Sequence, residues 1–443
     1  MPVISSDPRT VRVAITGVGL VSPLGNTKEA LWQRLSAGQS GVGALSSLPT
    51  GALPVPFAAE ARDFTGHVDN FGPLEGEQKK SIRKGLKVMC RECQMGVAAA
   101  QLALADARLG LGKSDPERSG VVYGADYMIT DPDEFSAGIV DCLDDNRRFH
   151  FSCWATQGLA KMNPLWLLKY LPNMPASHIA IYNDLRGPNN SLTQREAAGN
   201  LAIGEAFRVI ERGHADVMVA GATGTRIHSM KAVHAALNEE LATEGDPTKA
   251  ARPFDLHRRG TVLGEGAGAI VLERLDLAEQ RGATIYGEVL AAASSTVAQP
   301  KNVARRGQAL ANCLRAALRE ARLSPDQVGH IHAHGLGTRQ SDAEEARAIC
   351  EVFGDQADRV PVTAAKSFFG NLGAGSGLVE LIASLLALGN RHLFPVLNYE
   401  TPDPDCRLNV VRGGAGSPGD SFLNLSVTPQ AQASCVLVRS VSH

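Results

Sequence analysis

The feature that most constrains this chain is the alternation of short β-branched runs with longer segments rich in Ala and Leu. Buried strands read as short apolar runs, and the helices that cover them read as longer periodic segments, so the pattern predicts α/β layers around a mainly buried sheet. The predicted strands are VRVAITGVG, SGVVYGAD, ADVMVAGAT, GAGAIVLER, ATIYGEVLAAAS, HIHAHG and ASCVLVRS. The predicted helices are 27–37, 84–107, 196–212, 305–321, 342–353 and 377–388.

Length and charge narrow the classes of function. At 443 residues the chain exceeds a single domain of ~100 to 200 residues, which predicts two halves or one large duplicated fold. The formal net charge of -2 gives no electrostatic reason to expect nucleic acid as a partner. The start, MPVISSDPRTVRVAITG, has no secretory signal, and the apolar run LVELIASLLALG at 378–389 is shorter than the ~18 residues of a membrane span. We therefore expect a cytoplasmic protein with no membrane span.

The eight cysteines are scattered along the chain, as is typical of a reducing compartment. Cys90 and Cys93, in VMCRECQMGVAAAQLAL, have the spacing of a metal-binding or redox CxxC motif, but they lie within a helical pattern and no second CxxC follows. We interpret them as two cysteines on one helix and predict no metal site. The glycine pair in ITGVGLVS lacks the third glycine of a dinucleotide fingerprint, so no cofactor is predicted.

One segment interrupts the regular pattern. HFSCWATQGLAKMNPLWLLKYLPNM, residues 150–174, holds two of the three tryptophans and is predicted to be a partly irregular excursion. Such segments tend to cover sites or form interfaces. Cys153 lies in this excursion without neighbours that would activate a thiol, so we interpret it as structural.

The stretch RGPNNSLTQREAAGNLAIGEAFRVIERG, residues 186–213, predicts a loop followed by a helix of small residues. The helix is apolar enough to be buried, yet it carries Glu196 at its first turn. A carboxylate in that place requires an explanation, because burying a charge is costly unless it is paired.

Several segments together resemble a known family. They are VRVAITGVGLVSPLGNTKEALWQRLSAGQSGV, LPNMPASHIAIYNDLRGPNNS, GHADVMVAGAT, RPFDLHRRGTVLGEGAGAIVLER, HAHGLGTRQSDAEEARAI and AAKSFFGNLGAGSGLVE. They resemble the β-ketoacyl-acyl-carrier-protein synthases, most of all the elongating branch and its chain-length-factor and decarboxylating relatives. The resemblance runs from residue 11 to residue 440. It implies an α/β thiolase fold with two similar halves, 1–257 and 258–443, five layers α-β-α-β-α and a two-fold dimer.

In that family a nucleophilic cysteine begins the buried helix, where the helix N-terminus stabilises the thiolate. Laid on the family motif without a gap, GPNNSLTQREAAG puts Glu196 at the nucleophile position. Attack on a thioester by Glu196 would give a mixed anhydride, which is a poorer acyl store and is open to hydrolysis. The resemblance therefore implies a member in which ordinary acyl-enzyme condensation is not expected.

The C-terminal half matches the family at further site positions. His334, in HAHGLGT, matches the first catalytic histidine, which stabilises charge on the thioester carbonyl, and Thr338 in the same motif is expected to contact substrate. Lys366, in AAKSFFGN, matches the family lysine. Asp342 and Glu345 resemble the buried acidic support, and we expect Lys366 to pair with Glu345.

Two more positions depart from the family pattern. Asn371, in KSFFGNLGAGSG, stands where the second catalytic histidine is expected, so it can donate a hydrogen bond but cannot titrate. In LSVTPQAQA, Pro429 falls where an oxyanion-hole N–H is expected, and proline has none; a shift of one residue would offer Gln430 instead.

Two main hypotheses of function follow, and a homodimeric binding protein without chemistry ranks third. The first is an enzyme acting on acyl or malonyl thioesters of acyl carrier protein, in fatty acid or polyketide biosynthesis, by decarboxylation or with Glu196 as a base. The second is a non-catalytic chain-length-factor-like subunit that pairs with an active ketosynthase. Retention of His334, Lys366, Asp342 and Glu345 favours the first, and the altered TPQA loop favours the second. Burial favours the neutral form of Glu196, whereas the helix N-terminus favours its anion, so sequence leaves the ionisation state open. The dimer is either a homodimer or a heterodimer.

Overall fold

The computed structural model describes residues 11–49, 55–74, 76–413 and 416–441. The prediction of no secretory signal concerns the N-terminal segment, and its residues 1–10 lie outside the described residues. The strands are β1 (Val13–Val21), β2 (Gly43–Ala44), β3 (Phe57–Ala58), β4 (Ser119–Ala125), β5 (Asn189–Thr193), β6 (Val217–Thr225), β7 (Glu265–Arg274), β8 (Gly287–Thr296), β9 (Ala298–Gln299), β10 (Val303–Ala304), β11 (His330–His332), β12 (Pro361–Thr363), β13 (Asn409–Val410), β14 (Ser421–Val427) and β15 (Gln432–Arg439).

The helices complete the described chain. They are α1 (Lys28–Ser36), α2 (Gly76–Gly85), α3 (Arg91–Asp106), α4 (Asp133–Asp141), α5 (Met174–Asn183), α6 (Ala198–Glu211), α7 (Ser229–Asn238), α8 (Leu275–Gln280), α9 (Arg306–Ala321), α10 (Arg339–Phe353), α11 (Lys366–Phe369) and α12 (Ser376–Asn390).

The sheet shows the internal repeat directly. Eleven strands follow the order β13-β12-β11-β14-β15-β8-β1-β7-β6-β4-β5. In the first half, β1, β7 and β6 pair antiparallel, and β6, β4 and β5 pair parallel. In the second half, β8, β15 and β14 pair antiparallel, and β14, β11 and β12 pair parallel. The same order and directions thus occur twice, which confirms two similar halves.

The repeat divides the chain later than the sequence predicted. Strand β7 is the partner of β1 and β6, so it belongs to the first half. The second half begins with β8, which pairs with β1 across the junction. The predicted boundary between residues 257 and 258 therefore precedes the last strand of the first half, and the strand repeat divides between Arg274 and Gly287.

The helices form three layers around the two half-sheets. Helix α3 packs on β1, β6 and β7 on one outer face, and α9 packs on β8 and β15 on the other. Helices α6 and α12 lie between the halves, because α6 contacts β4, β6, β8 and β15 while α12 contacts β7 and β14. This is the five-layer α-β-α-β-α arrangement that the resemblance implied.

The central helices are buried over most of their length, and small residues allow them to approach closely. A Cβ added to Gly199 of α6 would lie 2.7 Å from Leu378 Cδ2 of α12, a contact closer than real Cβ atoms make. Both helices begin at the same edge of the fold, where Glu196 precedes α6 and Asn371 precedes α12. This pairing brings two positions 175 residues apart in sequence into hydrogen-bonding contact.

Several predicted elements differ from the observed ones. The predicted helix 84–107 is interrupted, since α2 ends at Gly85 and α3 begins after Cys90 in extended conformation. Strands β5, β12 and β14 were not predicted. Strand β5 is polar and β12 has only three residues, so neither shows a clear apolar alternation. Strand β14, SFLNLSV, interrupts its apolar residues with Asn and Ser.

The apolar helix near the C-terminus is longer than its sequence suggested. The 3-10 turn Gly373–Gly375 leads directly into α12, and together they form a helical segment of 18 residues, Gly373–Asn390. This segment is apolar enough to cross a membrane, but 83% of it is buried inside the protein. Buried helices at the centre of a layered fold have this composition. In the described part of the chain this one candidate span is therefore a core helix.

Candidate active site

Glu196 lies in a 3-10 turn, Arg195–Ala197, that leads into α6. Its neighbour Arg195 has φ 48°, a left-handed conformation that is uncommon for a residue other than glycine. Strained backbone of this kind is concentrated at functional sites. Glu196 itself is 1% exposed, and the Ala197 carbonyl accepts a hydrogen bond from Ser434 Oγ at 3.1 Å. The turn is thus held rigidly between the two halves.

One oxygen of Glu196 receives three donors. Arg226 Nη1 donates to Oε1 at 2.9 Å, Asn371 Nδ2 donates at 3.0 Å and Arg195 Nη2 donates at 3.4 Å. The other oxygen, Oε2, is buried without a hydrogen-bond partner among the described residues. The carboxylate is therefore fixed at one end and unpartnered at the other.

Glu239 closes the ion-pair network around both arginines. Its Oε1 accepts from Arg195 Nη2 at 2.8 Å and from Arg226 Nη2 at 2.5 Å. The side chain of Arg226 is 6% exposed, so this network is largely shielded from solvent. Two carboxylates and two guanidinium groups balance one another, as buried charges must.

Sequence analysis missed Arg195, Arg226 and Glu239. A signal existed for Arg226, which directly follows the buried strand β6 at the end of ADVMVAGATGTR. A charged residue at the end of a central strand often faces a site. Arg195 adjoins Glu196 in sequence, but nothing in the local pattern of Glu239 indicates that it contacts them.

The ion pairs with Arg195 and Arg226 determine whether Glu196 is ionised. Burial alone would raise the pKa of this carboxyl, but the charges of Arg195 and Arg226 and the hydrogen bond from Asn371 outweigh it and lower the pKa to about 2. Glu196 is therefore an anion at neutral pH.

His334 follows the end of β11 and is 1% exposed. Its backbone N–H donates to Glu345 Oε1 at 2.6 Å, and Gly335 N donates to Glu345 Oε2 at 2.8 Å. Gly335 has φ 48° with Ala364 Cβ 2.8 Å from an added Cβ, so this turn requires glycine. Burial, with the nearby charge of Lys366, lowers the pKa of His334 well below its ordinary value, which keeps the imidazole neutral.

His332, in the same strand, is structural. Its Nδ1 lies 2.8 Å from Ser384 Oγ, and its Nε2 accepts from Ala365 N at 3.1 Å. Both ring nitrogens are therefore used in the core, which distinguishes His332 from His334.

Lys366 does not pair with Glu345, and that prediction was wrong. Its Nζ donates to Glu380 Oε1 at 2.5 Å and lies 3.3 Å from His334 Nδ1. Both Lys366 and Glu380 are fully or almost fully buried. Glu345 is unavailable because its two oxygens accept from the backbone of the His334 turn. The sequence contained the partner, since Glu380 is the one charge within the apolar run LVELIASLLALG.

Asp342 and Glu345 support the loop that carries His334 rather than any ligand. Asp342 accepts from Gly337 N at 3.0 Å and Phe254 N at 2.9 Å. Burial raises the pKa of Asp342 to about 6 and that of Glu345 to about 7, against the backbone hydrogen bonds that favour their anions.

Residues 10–278 match the family described as beta-ketoacyl synthase, N-terminal domain, and residues 286–400 match the beta-ketoacyl synthase C-terminal domain. The chain belongs to the β-ketoacyl synthase family. The 3-oxoacyl-acyl-carrier-protein synthase 2 of Synechocystis sp. is 33% identical over 406 residues, covering 91% of each chain.

Two solved structures extend the comparison. The ishigamide ketosynthase/chain length factor superposes with a TM-score of 0.81 and 26% identity, over 98% of this chain and 100% of that chain. A type II PKS acyl-carrier protein in complex with its ketosynthase bound to the hexaketide gives 0.78 and 27%, over 97% and 100%. This member of the family is therefore a β-ketoacyl-ACP-synthase-like protein of the thiolase fold.

In this family member the segment with Pro429 and Gln430 is a tight turn between β14 and β15. Thr428 N donates to Gln432 O at 2.9 Å, and Ala431 N donates to Thr428 O at 3.0 Å. Gln430 is exposed, whereas Pro429 lines a cavity of about 190 Å³. Glu239 and Thr338, the N-cap of α10, also line this cavity. The structure thus brings Pro429 and Thr338 together and leaves Gln430 at the surface.

Proposed function

We propose that this protein is a non-condensing, chain-length-factor-like subunit that pairs with an active ketosynthase acting on acyl and malonyl thioesters of acyl carrier protein. The observation that carries the proposal is the buried ion pair of Glu196 with Arg226, 2.9 Å long. It holds the group at the predicted nucleophile position as a paired anion. The two hypotheses of function therefore change order, because Lys366 is paired with Glu380 and both Asp342 and Glu345 hold backbone N–H groups, so these retained residues have structural partners.

A carboxylate with a pKa of about 2 is a poor general base. A base works best when its pKa lies near the operating pH, since a weaker base provides little driving force for proton abstraction. The unpartnered Oε2 is the atom that a base mechanism would use, and this observation keeps a Glu196-dependent enzyme as the second candidate. The low pKa argues against it.

Decarboxylation meets a further difficulty. The Nδ2 of Asn371 is the donor that would polarise a thioester carbonyl, but it donates to Glu196 Oε1 at 3.0 Å. The anion of Glu196 would also repel both a malonyl carboxylate and the enolate formed from it. One N–H of Asn371 is thus used by Glu196, and the local charge has the wrong sign for this reaction.

A second group of buried charges lies near Glu196. Lys231 Nζ donates to Glu92 Oε1 at 2.7 Å. Asp126 is 2% exposed and lies close enough to Lys231 and Glu196 for both charges to influence its pKa. An apolar acyl chain would gain little beside so many charged groups, because apolar burial requires an apolar lining. These residues support a site that does not hold an acyl group.

The surface supports a protein partner. Strand β5 ends the sheet, and its Asn189, Asn190 and Thr193 are exposed. An edge strand presents unpaired backbone groups that a strand from another chain can extend. We infer that β5 lies in the subunit interface.

The segment 139–181, which includes the excursion, exposes an unusual number of apolar side chains. Of the fourteen large apolar side chains exposed in the described part of the chain, nine lie between residues 139 and 181. They are Ile139, Val140, Phe149, Phe151, Leu159, Leu165, Leu167, Leu168 and Ile181. Monomeric proteins rarely leave such a patch open to water. The excursion therefore supports the same interface as β5.

Reconstitution tests the proposal. The purified chain is mixed with a cysteine-bearing ketosynthase from the same source, with acyl- and malonyl-acyl carrier protein as substrates, and complex formation and product length are measured. We expect a one-to-one complex in a cytoplasmic pathway of fatty acid or polyketide synthesis. Condensation should require the partner's cysteine and should persist with Glu196→Gln in this chain. Turnover by this chain alone that disappears in Glu196→Gln would reject the proposal and support the second candidate.

A further inference from the structure

Three sulfur atoms meet at the start of α3. Cys90 is the N-cap residue of this helix, Cys93 lies in its first turn and Met128 follows β4. Cys90 Sγ lies 3.7 Å from Cys93 Sγ and 3.9 Å from Met128 Sδ, and Cys93 Sγ lies 3.8 Å from Met128 Sδ. The three atoms form a nearly equilateral triangle, which we call the sulfur triangle.

The size of the sulfur triangle matches a trigonal metal site. A point at the centre of a triangle with these sides is about 2.2 Å from each sulfur. Metal–thiolate bonds are about 2.3 Å long. A metal ion at the centre would therefore need only small shifts of side chains.

The ligand set selects the metal. Thiolate and thioether sulfur are soft ligands that favour Cu(I), whereas Zn²⁺ in a structural site almost always takes four ligands. In the described part of the chain no cluster of three or more His, Cys, Asp or Glu side chains has the geometry of a metal site, so a fourth ligand of the usual type is absent here. Three sulfurs without a fourth ligand fit Cu(I) better than Zn²⁺.

We propose that Cys90, Cys93 and Met128 bind one Cu(I) ion in trigonal coordination. Binding forms two Cu–thiolate bonds and one Cu–thioether bond and releases the two thiol protons to solvent. The oxidation state of copper does not change. The site is independent of the proposed function at Glu196.

Access and charge are suitable for this role. Cys90 lines a cavity of about 550 Å³, and Met128 is partly exposed, so an ion can reach the triangle, whereas Cys93 lies behind them. The N-terminus of α3, a helix of 16 residues, favours the negative charge of the complex, whereas the contact with Cys90 and burial raise the pKa of the Cys93 thiol, so the metal must displace a proton that the free site holds. The Cys93 thiol donates to Lys169 O at 3.6 Å, and metal binding would replace this hydrogen bond.

From sequence alone, no metal site is predicted at the CxxC motif, because two cysteines are too few ligands to bind a metal ion. The third ligand is a methionine 35 residues further along the chain, which no CxxC spacing indicates. The other close cysteine pair, Cys313 and Cys435 at 3.2 Å, is buried in the core at 0% and 1% exposure and has no path for an ion.

Titration of the full-length protein with Cu(I) under anaerobic, reducing conditions tests this proposal, with a chromophoric Cu(I) chelator as competitor and X-ray absorption as the structural readout. We expect one tightly bound Cu(I) per chain with three sulfur neighbours at about 2.3 Å. Cys90→Ser should abolish this binding. Met128→Leu keeps the volume of the side chain and should weaken binding by about tenfold or more, since even indirect ligand partners contribute that much.

Cys153→Ser is the matched control, because Cys153 is a partly exposed free cysteine outside the triangle. It should bind Cu(I) like the unaltered protein. Thermal unfolding of each variant verifies that the fold is intact. Absence of one-to-one binding would overturn the proposal. Binding that is unchanged in both Cys90→Ser and Met128→Leu, with folded variants, would overturn it as well.

Discussion

Asn371 Nδ2 donates a hydrogen bond to Glu196 Oε1 over 3.0 Å, and this contact joins the starts of the two central helices. Both residues stand at positions where the family resemblance implies catalytic groups, yet here they satisfy one another. With Arg226 on the same oxygen, they form a closed polar cluster in the core. This cluster stabilises the fold through a buried charge pair.

Replacing Arg226 should destabilise the protein strongly. Arg226→Met leaves Glu196 and Glu239 with less compensating charge, and breaking a buried ion pair typically costs about 3 to 5 kcal/mol. Chemical denaturation measures the change in free energy of unfolding. Arg186→Met is the control, since its ion pairs with Asp184 and Glu117 lie at the surface and should contribute far less to stability. Equal effects of the two substitutions would contradict the buried-pair account.

The pair Lys366 and Glu380 should show strong coupling. Lys366→Met alone leaves Glu380 buried without its cation, so a loss of about 3 kcal/mol or more is expected. The double variant Lys366→Met with Glu380→Leu removes both charges and should recover most of that loss. A double-mutant cycle in denaturant measures the coupling, and additive effects would show that the pair does not form.

Glu196→Cys alone should not create an active condensing enzyme. The new thiol would lie beside Asn371, which cannot titrate, and beside Arg226, which would keep only Glu239 as its ion-pair partner. Acyl transfer from acyl-carrier protein and formation of β-ketoacyl product are the readouts. Condensation at the rate of an ordinary ketosynthase in this single variant would show that Glu196 is the only obstacle.

Stability should depend on pH through Glu345. Burial raises the pKa of Glu345 from 4.5 to about 7, so between these values the folded protein holds a proton that the unfolded chain releases. The contribution of this group is therefore fully present below about pH 4.5 and is lost as pH rises through 7, by the order of 3 kcal/mol. Denaturation of Glu345→Gln at several pH values should show a flatter dependence in this window; an unchanged slope would argue against a buried, protonated Glu345.

The sequence predicted the layered repeat and the main positions of the site because both leave local signals. Strand and helix periodicity follow from burial, and His334, Lys366 and Asn371 lie in glycine-rich motifs. The partners of these residues leave weaker signals. Glu239 contacts Arg195, which lies 44 residues away in sequence, and Lys366 pairs with Glu380 instead of the predicted Glu345. Both contacts depend on three-dimensional packing.

The charge of Glu196 shows why part of the site required a structure. Burial and the helix N-terminus act in opposite directions on its pKa, and sequence gives no measure of either. The deciding influences are the charges of Arg195 and then Arg226, and local sequence pattern does not show that both side chains reach Glu196. Function depends on that balance, since a neutral carboxyl and a paired anion support different chemistry.

The most direct test of the central claim is mass spectrometry of the purified chain after incubation with malonyl- and acyl-acyl carrier protein, with Glu196→Ala in parallel. Intact-protein masses detect any acyl-enzyme, and the carrier-bound thioesters report loss of carbon dioxide. A paired, ionised Glu196 predicts no acyl-enzyme, no decarboxylation and no difference between the two proteins. Loss of carbon dioxide or a new thioester product that requires Glu196 would contradict the account and establish this chain as an enzyme in its own right.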